Sequence, residues 1–140
     1  MIILDTNVLS ELMRPDPSPH VVAWVGKQPS AQLFTTSITE AEIFYGIELL
    51  AKGKRREQLL AAADAMFTED LAGRIHGFDS EAARVFSKIA AQLRTRGRPI
   101  SHADAQIAAI ARVRRATLAT RNLADFQHCG IDVVDPWADI

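Results

Sequence analysis

Apolar and polar positions fall in blocks along this chain, and the blocks switch between the repeat of a strand and the repeat of a helix. The chain opens on Met1-Ile2-Ile3-Leu4, an apolar run that breaks off at Asp5-Thr6-Asn7. Led by isoleucines and too short for a helix, the run predicts a strand buried on both faces, as parallel strands are. Val8 to Met13 predicts a short helix stopped by Arg14-Pro15-Asp16-Pro17. Pro19 to Gln28 predicts a second, with Val21, Val22, Trp24 and Val25 as its apolar stripe. Leu33 to Thr36 reads as a strand, and Ser37 and Thr39 open a helix through Leu50 with Ile43, Ile47 and Leu50 on one face.

Beyond Gly53 the pattern predicts a helix from Lys54 to Met66 and a short strand from Arg74 to Phe78. Asp79-Ser80-Glu81 caps a helix to Thr95, which Arg96-Gly97-Arg98-Pro99 ends. Ser101 starts an alanine-rich helix through Arg114 that suits close packing. Thr117 to Thr120 is a strand, Asn122 to Phe126 a turn of helix, and Ile131 to Val134 a last strand before Pro136 and Trp137. Alternating strands and helices place the chain in the α/β class, with a small parallel sheet covered on both faces. Strand ends and the helix starts that follow them then share one rim, where such sheets bind ligands.

A length of 140 residues fits one domain, 1–140, with a real core. No apolar stretch approaches the ~20 residues that cross a bilayer, and the first residues lack the basic flank of a secretory signal. The single cysteine, Cys129, excludes an internal disulfide and a thiolate metal cage, and with no export signal points to the cytoplasm. A net charge of −1 says nothing of partners, but its distribution does. Arg84, Lys88, Arg94, Arg96, Arg98, Arg112, Arg114, Arg115 and Arg121 crowd a window in which Asp104 is the sole acid. Solvated faces usually mix signs, and planar arginine forks suit phosphate, so the window reads as a surface facing a polyanion.

Burying the carboxylate of Asp5 needs a compensating partner. Asp5, Asn122 and Asp125 follow strand ends, while Glu42 and Asp104 stand in first turns of helices, so all five belong to one rim. A second reading is open for three of them. Glu42 lies three residues after Thr39 and Asp104 three after Ser101, the spacing of a capping box, and Asn122 is a natural cap. Three carboxylates drawn together repel unless a cation neutralises them. Asp5, Glu42 and Asp104 are thus the candidate ligands of a divalent ion, and all-oxygen donors indicate Mg²⁺ or Mn²⁺ rather than zinc. His102, beside Asp104, reads as a surface histidine, and His20, His76 and His128 show no ligand spacing. Cys129 reads as an inert thiol, and Trp24 and Trp137 as core or interface anchors.

With these residues in place the sequence resembles the PIN-domain ribonucleases, in particular toxins of the VapC and FitB type. The resemblance runs nearly end to end, through Leu4-Asp5-Thr6-Asn7-Val8-Leu9-Ser10, Thr39-Glu40-Ala41-Glu42-Ile43 with Tyr45-Gly46-Ile47, Asp104 to Ala111, Ala119-Thr120-Arg121-Asn122 with Asp125-Phe126, and Pro136-Trp137. It implies a three-layer α/β/α sandwich and a Mg²⁺- or Mn²⁺-dependent endoribonuclease. Asp5 and Asp104 would hold the metal, and Glu42 would hold a metal or orient the attacking water. Thr6, Asn7 and Thr120 would steady the carboxylates. The family often carries a fourth acid where this chain has Asn122, and Asp125 is near enough to replace it. Arg98, Arg112, Arg114, Arg115 and Arg121 would face RNA. The resemblance also implies a homodimer silenced by a cognate antitoxin, which alone binds operator DNA, with Leu9, Leu12, Val22 and Val25 as apolar positions open to it.

Two rivals come from other classes. A receiver-like phosphoacceptor domain needs adjacent acids after its first strand, where this chain has Thr6, and an aspartate ending a middle strand, which it lacks. A non-catalytic nucleic-acid-binding α/β module explains the arginines and leaves Asp5 without a role.

Overall fold

The computed structural model describes residues 1–138, so the last two positions of the expected 1–140 domain lie outside the described residues. Five short strands form one sheet in the order β3-β2-β1-β4-β5. These are β1 (Ile2–Leu4), β2 (Leu33–Thr36), β3 (Ile75–His76), β4 (Thr117–Ala119) and β5 (Val133–Val134). Every pairing is parallel, with Ile3 opposite Phe34 on one side and Leu118 on the other. The first strand of the chain is therefore the central one, which is why it carries an unbroken apolar run.

Helices α1 (Thr6–Leu12), α2 (Pro19–Lys27), α3 (Ser37–Glu48) and α4 (Lys54–Ala65) enclose a core with Leu4, Val8, Trp24, Ile43, Ile47 and Phe67. Helices α5 (Ser80–Thr95), α6 (His102–Arg114) and the single turn α7 (Leu123–Phe126) enclose the other core, with Ile3, Ile89, Ile107, Leu118 and Phe126. Ile3 and Leu4 thus point to opposite sides of the sheet, as the two-residue repeat of a strand requires. The result is an α/β/α sandwich. Ala105, Ala108, Ala109 and Ala111 of α6 are all fully buried, so the alanine run does serve close packing against the sheet and α5. Among the described residues no helix is long and apolar enough to cross a membrane.

The elements expected from the pattern are all present, with small shifts at their ends. Helix α1 starts earlier than expected, at Thr6, because the Asp5 side chain accepts from the Thr6 amide and caps it. Helix α4 does not stop at Met66 but runs on as a wide turn of π-helix to Asp70. Leu9 was expected to be open to a partner; it is buried, 1 % exposed, whereas Val22 is exposed.

Both long helices of the second layer end in the same way. Gly97 and Arg98 donate back to Arg94 and Leu93, and Arg115 and Ala116 donate back to Arg112 and Ala111. This is the double closure of a Schellman motif, which needs a left-handed residue. Gly97 meets that need at φ 72°, but at the end of α6 the residue is Arg115 at φ 53°. A side chain there costs about 1 kcal/mol, partly offset by the lower freedom of the unfolded chain. Arg115→Gly is expected to raise the stability by about 0.5–1 kcal/mol, read as a higher denaturant midpoint at unchanged slope. A lower midpoint would mean that the Arg115 side chain contributes more than its backbone costs.

Candidate active site

Asp5 leaves the sheet at the end of β1, its amide donating to the Ala119 carbonyl of β4 at 2.9 Å. The residue is 3 % exposed. Oδ1 accepts from the Thr6 amide (2.8 Å); Oδ2 accepts from the Thr120 hydroxyl (2.7 Å) and, more weakly, from Asn7 Nδ2 (3.4 Å). The Thr120 hydroxyl in turn accepts from the Asn122 amide (3.1 Å) and Asn7 Nδ2 (3.3 Å). Asn7 Oδ1 accepts from the Arg121 amide (3.2 Å), which closes a net between the ends of β1 and β4. Asn7 and Thr120 therefore hold the carboxylate in place.

Thr6 joins this net to the next strand. Its hydroxyl donates to Glu42 Oε1 at 2.7 Å and shares a hydrogen bond with the Thr39 hydroxyl at 3.0 Å. The capping-box reading of Glu42 fails here. The residue that caps α3 is Thr36, whose hydroxyl accepts from the Thr39 amide, so Glu42 lies in the second turn of the helix rather than the first. Sequence spacing missed this because Thr36, Ser37 and Thr39 are all good caps, and only Thr36 sits at the end of β2 with extended backbone.

Asp104 does occupy the first turn of α6, and the Ser101 hydroxyl accepts its amide at 3.1 Å, so half of a capping box is present. Asn122 precedes α7 without a capping bond from its side chain, which is exposed with that of Asp125. Asp125 and Asp104 line one pocket.

The carboxyls feel one another. Burial, only partly offset by the bonds from Thr120 and Thr6, pushes the Asp5 carboxyl up to about 6, and the charges of Asp104 and Glu42 push the same way. Burial also raises Asp104, opposed by Ser101 and reinforced by Asp125 and Glu42. Among the described residues, no three His, Cys, Asp or Glu side chains form a ready metal-ligating group. The carboxylates are near enough to couple and are not closed into a cage.

Two of the five arginines expected to face RNA stand at this rim. Arg98 lines the pocket of Asp104, and Arg121 is anchored beside Asn7 with its guanidinium 4.9 Å from the centre of the Trp137 ring. The other three stand apart. Arg112, Arg114 and Arg115 close the far end of α6, about 15 Å along the helix from Asp104. There Arg114 lies 3.8 Å from Asp79, and Arg112 packs against Gly130. Cations at a helix C-terminus are favoured by its dipole, which gives these residues a structural role as well. His102 packs edge-on against Phe86, and burial pushes the Cys129 thiol up to about 11, so the expected inert cysteine is found.

This fold recurs in known proteins. A family model described as the PIN domain matches residues 2–130. The chain belongs to the PIN-domain family. It is 38 % identical over 137 residues to the VapC ribonuclease Y4jK of Sinorhizobium fredii, covering 98 % of each chain. It is 37 % identical over 139 residues to the toxin FitB of Neisseria gonorrhoeae, covering 99 % of this chain and all of that one. A solved structure of FitAB bound to an IR36 DNA fragment superposes with a TM-score of 0.93 at 36 % identity, covering 100 % of this chain and 98 % of the other. The protein is thus closely related to VapC- and FitB-type toxins of type II toxin–antitoxin systems.

The elevated Asp5 carboxyl has a consequence for stability. Between its ordinary value of 3.8 and about 6, the folded protein keeps a proton that the unfolded chain has lost. The contribution of Asp5 to stability is therefore greatest below about pH 4 and falls, by on the order of 2 kcal/mol, as pH rises to about 6. In chelator, the thermal midpoint of the wild type relative to Asp5→Asn should decline through that window and level off above it. A difference independent of pH would show that Asp5 is not desolvated as described.

Proposed function

We propose that this PIN-domain protein is a divalent-metal-dependent endoribonuclease, the toxin of a toxin–antitoxin pair. The observation that carries the reading is the coupling of Asp5, Asp104 and Glu42 at one rim, with Asp5 oriented by Thr120, Thr6 and Asn7. The donor set is entirely oxygen, which suits Mg²⁺ or Mn²⁺; Mg²⁺ commonly takes one or two carboxylates and keeps its waters, so an open arrangement fits it. Asp5 and Asp104 would hold the ion, with Glu42 as a further ligand or as the group that orients the attacking water. Asn122 completes the catalytic set, and Asp125, at the same rim, would assist it.

Bound metal would supply an activated water and neutralise the phosphate. The chain's own part is placement. Thr6 keeps the Glu42 carboxylate turned toward Asp5, and Thr120 and Asn7 keep the Asp5 carboxylate from rotating away. Desolvation of Asp5 makes its negative charge costly without a cation, which favours metal over an empty ionised site. Arg98 and Arg121 would hold RNA phosphates beside the acids, on single-stranded or looped RNA whose bases can splay. Arg112, Arg114 and Arg115 lie about 15 Å further along α6 and would meet phosphates farther along the strand.

A partner is part of the reading. The FitAB complex and VapBC of Salmonella typhimurium were both solved with DNA bound. By analogy an antitoxin would silence this chain and carry it to operator DNA, and the toxin would be a homodimer acting in the cytoplasm. A groove of about 760 Å³ supports this, running from Thr6 and Glu42 between α1, α3 and α4 over Met13, Ile43, Ile47 and Leu59. Its apolar lining and polar end suit an amphipathic peptide segment.

Asp5→Asn and Asp104→Asn should each lower Mg²⁺- or Mn²⁺-dependent cleavage of single-stranded RNA by at least 10²-fold, with circular dichroism unchanged. Cleavage at the parental rate by either variant, or cleavage indifferent to EDTA, would remove the site from the reaction. RNA binding without any cleavage would favour the non-catalytic binding module.

A further inference from the structure

The acids do not end the site on the α6 side. A pocket of about 480 Å³ continues from Asp104 and Asp125, across Pro99 and Ile100, to Arg98 and His128. Its lining carries two kinds of chemistry. Asp104 and Asp125 are carboxylates that can only accept. In the same lining, Arg98 Nη1 lies 3.0 Å from His128 Nε2. A guanidinium is always charged and has no acceptor, so Nε2 must be the accepting nitrogen and the ring proton is on Nδ1. The pair therefore keeps N–H groups to offer, on the rest of the arginine fork and on the imidazole. Ion pairs among the described residues join Arg14, Arg56 and Arg114 to acids, and Arg98 is not among them, although two acids line its pocket.

Both side chains spring from fixed backbone. The Arg98 amide closes the Schellman motif of α5 by donating to the Leu93 carbonyl at 2.8 Å, and Pro99 restricts Arg98 to extended conformations. His128 sits between Phe126 and Cys129, which are 0 % and 1 % exposed. The backbone thus fixes where each exposed side chain starts, and the hydrogen bond between them joins the two. An anchored cation, a neutral donor ring and an unpaired fork suit a phosphodiester, which a guanidinium grips through two oxygens.

We propose that Arg98 and His128 form a subsite for the phosphate of the nucleotide adjoining the cleaved bond, setting where along the strand the acids act. The inference rests on the nuclease reading above and adds to it a positioning pair, of which His128 carries no signal in the sequence. Arg98 reaches the phosphate directly; His128 acts through Arg98 and by its own N–H. Phosphate contacts of this kind fix register rather than base identity.

The test uses a short oligoribonucleotide that the wild type cuts at one mapped bond with Mn²⁺, and matched oligonucleotides in which single flanking phosphates are replaced by uncharged methylphosphonates. In the wild type, one replacement next to the cleaved bond should raise KM about tenfold, the effect of losing a charge-assisted pair. Arg98→Ala should raise KM on the unmodified strand by a similar factor with kcat within about twofold, and the same methylphosphonate should then have no further effect. Arg98→Lys should recover part of the loss, and His128→Gln, which keeps an acceptor and a donor, more than His128→Ala. If the Arg98→Ala enzyme remains as sensitive to that methylphosphonate as the wild type, the subsite is wrong while the nuclease stands. If no flanking replacement affects the wild type, it is wrong as well. Absence of any Mn²⁺-dependent cleavage by the wild type would instead remove the nuclease reading itself, and this inference with it.

Discussion

A carboxylate that is 3 % exposed at the end of the central strand is the constraint around which the molecule is arranged. Asp5 is held by an amide of its own helix and by a hydroxyl at the end of the neighbouring strand, 115 residues away. Removing either leaves a buried charge short of a partner, and that costs more than an ordinary hydrogen bond contributes. The same residue caps α1, so the direction in which the chain leaves the sheet and the orientation of the acid are one decision. Even with these bonds the carboxyl remains raised to about 6, which means that its surroundings satisfy its hydrogen bonds without matching its charge.

Parallel topology turns that local fact into a site. Because β1, β2 and β4 run the same way, the chain turns off all three at one rim, bringing Asp5, Thr36 and Thr120 together. Thr36 and Thr39 are fully buried, and Thr6 links the Thr39 hydroxyl to Glu42. Hydroxyls at these positions are small enough to pack and polar enough to relay orientation from one strand end to the next. Asp104 arrives by a different route, from a helix that follows another helix, and Ser101 sets its turn.

Much of this was legible in the chain. The central strand could be read from an apolar run with no polar face, and Asp5 from the abrupt change that ends it. The close packing of α6 could be read from its alanines, and the fold class from strands alternating with helices. What the sequence concealed is instructive. Thr36, Ser37 and Thr39 are chemically similar caps, so the true one depends on where β2 ends, and Glu42 shifts by most of a turn with that choice. The left-handed Arg115 carries no local sign because the residue that usually marks such a helix end is glycine. His128 shows nothing in spacing because its partner, Arg98, stands 30 residues earlier on another helix end. Basic residues counted along the sequence merged two populations that the helix axis separates: Arg98 and Arg121 at the acids, Arg112 to Arg115 at the opposite end.

The two hollows that flank the acids bear on how a nucleic acid would lie. Toward α1, α3 and α4 the groove has an aliphatic floor of Met13, Ile43, Ile47, Leu50 and Leu59, and Arg14 and Arg55 also line it. Arg14 is already within 3.3 Å of Glu11, which leaves less of its charge for a phosphate. Toward α6 and α7 the pocket is smaller, and half of its lining is charged or polar. A polynucleotide must neutralise a charge at every step and gains little from aliphatic walls, whereas a peptide helix gains most from them. Glu42 lines the first hollow and Asp104 and Asp125 the second, so a strand held on the polar side and a peptide held on the apolar side would reach neighbouring acids of one rim. Interference between them would then need no movement of the protein, only contact of both with that rim.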